Sequence, residues 1–202
     1  FVQVALYSML GLGLLNMARW INDHTILRHF NNTEQLVKER NLSIGAVQCG
    51  AYLATGIIAA GAVSGTGGGA ISAIVFFVLG QASLAIFSFI YEKFSLYNVQ
   101  EELRQKNTAC GVAYAGNLIA LSIIIMNASS GDFVNWRVDL GEFAFASIGA
   151  FVFLPLIRRV MDRLVVPNSS LGKEIQEDRN IGAGFLEATI AISFAVILIR
   201  LV

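Results

Sequence analysis

Apolar runs long enough to cross a bilayer dominate this chain, and charge interrupts them in only a few places. A membrane-spanning helix needs about 20 mostly apolar residues, and such runs fall at about 1–21, 42–63, 70–91, 108–128, 138–157 and 181–202. Three charged segments, 22–40, 92–106 and 158–180, alternate with two turns, at 64–69 and 129–139. Only 14% of the residues are charged, against about 25% in a soluble domain. The pattern predicts an all-α, polytopic helical membrane protein. It has six transmembrane helices arranged as three repeated helical hairpins within a single domain, 1–202, with repeats at about 1–63, 70–128 and 138–202. Pro155 is expected to end or kink the fifth span near its end.

Orientation follows from the basic residues. Twelve of the 14 Lys and Arg, counted from Arg19, belong to the three charged segments, leaving Arg137 and Arg200 for the other side. The positive-inside rule puts those segments in the cytoplasm or its organellar equivalent. Trp20 and Trp136 read as interfacial anchors. Net charge is zero, so nothing points to nucleic acid, and the expected partners are the lipid bilayer and other membrane subunits, including further copies. Cys49 and Cys110 lie in apolar runs and read as small buried hydrophobes rather than a disulfide or metal pair. A chain beginning at Phe1 reads as a fragment of a longer protein.

Each charged segment ends in the same way. Arg40-Asn41 leads to Gly45, Lys106-Asn107 to Gly111, and Arg179-Asn180 to Gly184, with the asparagines 66 and 73 positions apart. Asn is a favoured N-cap, because its side-chain oxygen accepts from an orphan backbone donor. The basic residue before it can reach the headgroups, and the small residues after it let helices approach closely. Asn41, Asn107 and Asn180 could instead share a binding site on the charged side. Two copies also carry Glu six residues before the Asn, at Glu101 and Glu174, where the first has Gln35.

These motifs resemble the domain of unknown function 350 family of bacterial inner-membrane proteins. The likeness is strongest over Tyr91–Ile199. It rests on Lys106-Asn107-Thr108-Ala109, Ala113 with Gly116, Asp132 with Trp136, and Asn180-Ile181-Gly182-Ala183-Gly184; the first hairpin matches more loosely. The resemblance implies paired spans, sometimes duplicated, and an inner-membrane location. It brings no established reaction and therefore no functional residues.

Ionisable groups inside a span are functional candidates by default. Glu142 lies close to the outer boundary, where it can reach water. Glu187 lies seven residues after Asn180, about 10 Å into the bilayer at 1.5 Å per residue, and the corresponding residues are Gln48 and Tyr114. Gln48, Tyr114 and Glu187 could form a polar layer that conducts protons or cations, or could glue neighbouring helices; Gln81 and Asn117 lean towards packing. His24 and His29 are five apart, not at the spacing of a helical metal pair, and read as solvated. The glycine-rich turn from Ser64 to Gly69 lacks the ending of a phosphate loop. No catalytic set, cofactor fingerprint or metal motif is expected. A channel-like or transport component and a structural subunit of a larger membrane complex remain as readings, with an intramembrane enzyme acting on lipid or quinone a distant third.

Overall fold

The structure, a computed structural model, describes residues 2–64, 67–164 and 169–201. All regular structure among these residues is helical: α1 (Val2–Thr25), α2 (Asn32–Val37), α3 (Leu42–Val63), α4 (Gly69–Phe94), α5 (Val99–Arg104), α6 (Thr108–Ser129), α7 (Trp136–Leu164), α8 (Leu171–Gln176) and α9 (Ile181–Leu201). Five of them, α3, α4, α6, α7 and α9, are long and apolar enough to cross a membrane, with mean hydropathy between 1.5 and 2.3. The 24-residue α1 is not among them; its second half carries Asn16, Arg19, Asn22 and Asp23. The glycine-rich turn falls partly outside the described residues, at 65 and 66.

The long helices lie in two layers. α6 packs along α3 on one side and α9 on the other; α1, α4 and α7 cover this row and touch one another in the same order. Burial follows the position in the row. In the central window of α6, 72% of residues are buried, against 44% in α3 and 33% in α9, so the two outer members of the row each keep an open face.

The row is close-packed because glycines line its seams. A Cβ added at Gly111 would fall 2.5 Å from the Ser43 carbonyl oxygen, and one at Gly184 would fall 2.4 Å from that of Ala109. Further along, Gly50 faces the Ala115 backbone and Gly116 that of Ala188. Lipid is as apolar as these helices, so close van der Waals packing has to hold them together. Gly45, at the same motif position in α3, meets only a Leu36 methyl at 3.4 Å. Gly111→Ala is therefore expected to lower stability by about 1–3 kcal/mol, the usual range for overpacking, while Gly45→Ala stays near wild type. Thermal melts in detergent check the pair, and equal losses would refute the seam as the cause.

Three sequence expectations change. α7 does not end at Pro155 but continues to Leu164, which carries Arg158 into the packed interior instead of the solvated segment assigned to it. A proline in a spanning helix is tolerated where neighbouring helices re-satisfy the backbone. Cys49 is exposed on α3, and only Cys110 is buried, because α3 keeps an open face where α6 has neighbours on both sides. Not every acidic side chain of the charged segments is solvated either: Glu102 is 8% exposed, drawn in by a hydrogen bond from buried Asn107.

Candidate functional site: the motif chain and a buried ion pair

Each long helix of the row begins in the same way. A short helix (α2, α5 or α8) precedes it, and one basic residue then adopts the left-handed conformation, with φ of 49° at Arg40, 62° at Lys106 and 48° at Arg179. This conformation, uncommon for a residue with a Cβ, reverses the chain. The Asn that follows turns its own backbone N–H back to the short helix, donating to the carbonyl of Gln35, Glu102 or Glu174, at 2.9 Å in each copy. Its side-chain oxygen caps the long helix: Asn41 accepts from Ser43 and Ile44, Asn107 from Cys110, and Asn180 from Ala183.

The Asn side-chain amide makes two kinds of bond. One stays within its repeat: Nδ2 donates to Gln35 Oε1 at 2.9 Å, Glu102 Oε2 at 2.8 Å and Glu174 Oε2 at 3.1 Å. Glu102, not Glu101, thus stands where Gln35 and Glu174 stand, because the second connection is one residue shorter than the other two. The other bond reaches the next repeat. Asn41 donates to the Leu103 carbonyl at 3.0 Å, and Asn107 to the Ile175 carbonyl at 2.8 Å. The basic residues return the link. Lys106 Nζ reaches the Glu39 carbonyl and carboxylate at 2.9 and 3.0 Å, and Arg179 reaches the Gln105 carbonyl and side-chain oxygen at 3.4 and 2.9 Å. The three asparagines do not converge on one pocket. They run as a chain along the row.

The second cluster lies deeper, between the layers. Glu187 on α9 is 4% exposed. Its Oε1 accepts from Arg158 Nε at 2.7 Å, Tyr91 OH at 3.0 Å and Asn117 Nδ2 at 3.1 Å. Arg158 also donates to Ser95 Oγ at 2.6 Å and Tyr97 OH at 3.1 Å, and its guanidinium stacks over the Tyr91 ring at 4.5 Å. Burial holds the Tyr97 hydroxyl well above the usual tyrosine range, against the opposing pull of Arg158, so it stays protonated. Beside the pair is a cavity of about 10 Å³, at or below the room one water needs.

Of the three residues matched by depth, two share this cluster. Tyr114 stacks on Tyr91 with ring centres 4.7 Å apart and hydrogen-bonds Ser88. Gln48 stands apart, lining a small cavity with Asn22, Asp23 and Tyr52. Gln48, Tyr114 and Glu187 make no direct hydrogen bond to one another among the described residues. Gln81 accepts from Thr55 at 3.5 Å, which in turn accepts from Asn22 at 3.1 Å, while Asn117 belongs to the Glu187 cluster. A separate ion pair, Arg28 to Glu92 at 2.7 Å, ties the turn after α1 to α4. His24 and His29 are both exposed, and among the described residues no group of His, Cys, Asp and Glu could hold a metal. On the opposite side from the motifs, Ser64, Ser72, Asp132, Asp139 and Glu142 line a cavity of about 240 Å³.

The family model for DUF350, Domain of Unknown Function, matches residues 1–63 and 65–202. The chain belongs to this family. No curated protein and no solved structure matches it. Together with its five apolar helices, membership makes this DUF350 member an integral membrane protein. The break between the two matched stretches falls at Ser64, immediately after α3.

Proposed function

We propose that this DUF350 member is a structural membrane subunit, built from three helical hairpins (α1 with α3, α4 with α6, α7 with α9) that cross the bilayer six times. The hairpins would be related by an axis along the membrane normal, with the motif ends in the cytoplasm. The three motif copies and the family break at Ser64 support the repeat reading. One observation carries the structural role. Glu187 is closed off by Arg158, Tyr91 and Asn117 beside a cavity of only about 10 Å³. A conducting carboxylate has to meet water or a mobile proton, whereas a buried pair between helices fixes their register.

The outward cavity lined by Asp139 and Glu142 favours a second reading, a channel-like or transport component whose mouth lies there. Ion flux in proteoliposomes separates the two. The structural reading expects no flux above empty vesicles from the wild type or Glu187→Gln at any pH between 5 and 8. Flux that needs Glu187 would overturn it and make the cluster part of a conduction path.

A further inference from the structure

We propose that the open face of α9 binds the open face of α3 of a second copy, so that the row of α3, α6 and α9 continues from one molecule into the next. This goes beyond the structural reading and does not depend on it, since a transporter could assemble in the same way.

The two seams inside the chain define what such a junction requires. At each, one repeat offers an Asn amide and a side-chain and backbone oxygen. The next repeat offers a short-helix carbonyl, a left-handed basic residue and a motif glycine. Asn41 bonds the Leu103 carbonyl, Glu39 receives Lys106, and Gly111 lies over Ser43; Asn107 bonds the Ile175 carbonyl, Gln105 receives Arg179, and Gly184 lies over Ala109. The third repeat carries the first half of this set, and among the described residues no second half stands opposite it. Asn180 is exposed, and among the described residues its amide reaches only Glu174 in its own repeat. The first repeat carries the second half: the Leu36 carbonyl on an exposed residue, Arg40 in the left-handed conformation, and Gly45 with no backbone facing it.

Placing a second copy in the same register supplies each missing partner. Asn180 meets the Leu36 carbonyl. Arg40 meets Asp178, which stands two residues before its Asn as Glu39 and Gln105 do. Neither Arg40 nor Asp178 has a side-chain partner in the chain itself among the described residues, and their charges are opposite. Gly45 of the second copy meets Gly182, so that end of the seam is smaller still than inside the chain. Further along, Thr189 takes the place of Gly50 and Gly116, and Cys49 the place of Ala115 and Ala188. The junction must be wider there than the internal Gly–Ala contacts. A disulfide, which spans Cβ atoms about 3.8 Å apart, would fit that wider gap. Such contacts join different faces and so build rings or open rows rather than a closed two-fold dimer.

The test is oxidation of membranes containing the full chain with Thr189→Cys, analysed on non-reducing gels. The expected result is a ladder of two, three and more subunits, absent from the wild type and lost when Cys49→Ser is added. Asp178→Arg alone and Arg40→Asp alone should each reduce the ladder several-fold, and the two together should restore it. Monomers alone from folded Thr189→Cys protein would overturn the proposal, as would cross-linking that stops at a dimer and needs only Cys49. A ladder indifferent to both charge reversals would overturn the register.

Discussion

Replacing Arg158 with Leu is expected to lower stability by about 3–5 kcal/mol, the cost of stranding one member of a buried ion pair. The physical reason lies in Glu187, which is 4% exposed and would be left with only Tyr91 and Asn117 as side-chain partners. Arg158→Leu also empties the sites on Ser95 and Tyr97. Glu187→Leu is expected to cost a similar amount by stranding the guanidinium. The double variant should lose much less than the sum, because replacing both charges removes the desolvation penalty along with the attraction. Melting in detergent, run as a four-member cycle, measures the coupling directly. Additive losses would mean that the two side chains stabilise the fold independently, and the pair would no longer explain the register of α7 against α9.

What could be read from the sequence divides along the same line as local and long-range structure. Five spans were legible because each is a long, mostly apolar run, and the caps because Asn41, Asn107 and Asn180 act on backbone within three residues of themselves. Glu187 was visible as an ionisable residue out of place, but its partner was not. Arg158 follows Pro155 and begins a charged stretch, so composition assigns it to solvent; only the continuation of α7 past the proline brings it to α9. Equal depth likewise misleads about contact. Gln48, Tyr114 and Glu187 occupy equivalent positions along α3, α6 and α9, yet each faces the covering layer rather than the others. Gln48 lies beside Asn22 of α1, Tyr114 beside Ser88 of α4, and Glu187 beside Arg158 of α7. The inter-repeat bonds were beyond reach for a further reason. Their acceptors are backbone carbonyls of Leu103 and Ile175, and a carbonyl has no sequence signature.

The three motif asparagines, identical in sequence, are expected to differ widely in worth. Asn107→Ala should cost about 3–5 kcal/mol. The lost cap accounts for about 1 kcal/mol. The buried Glu102 carboxylate and the Ile175 carbonyl each lose a donor at 2.8 Å, and an unsatisfied buried group costs about 1–3 kcal/mol. Asn41→Ala should fall somewhat below this, since Ser43 Oγ still donates to the Leu103 carbonyl at 3.0 Å. Asn180→Ala should cost about 1 kcal/mol in the isolated chain, because it is exposed and its bonds to Glu174 and Ala183 can pass to water. Melts of the three variants as monomers in detergent give the order. Equal losses would reduce the motif to a helix cap and remove its role in joining repeats. The predicted order would instead mark Asn180 as the motif copy whose cross-repeat bond is made only between molecules, and its substitution should then weaken assembly in the membrane far more than it weakens the fold.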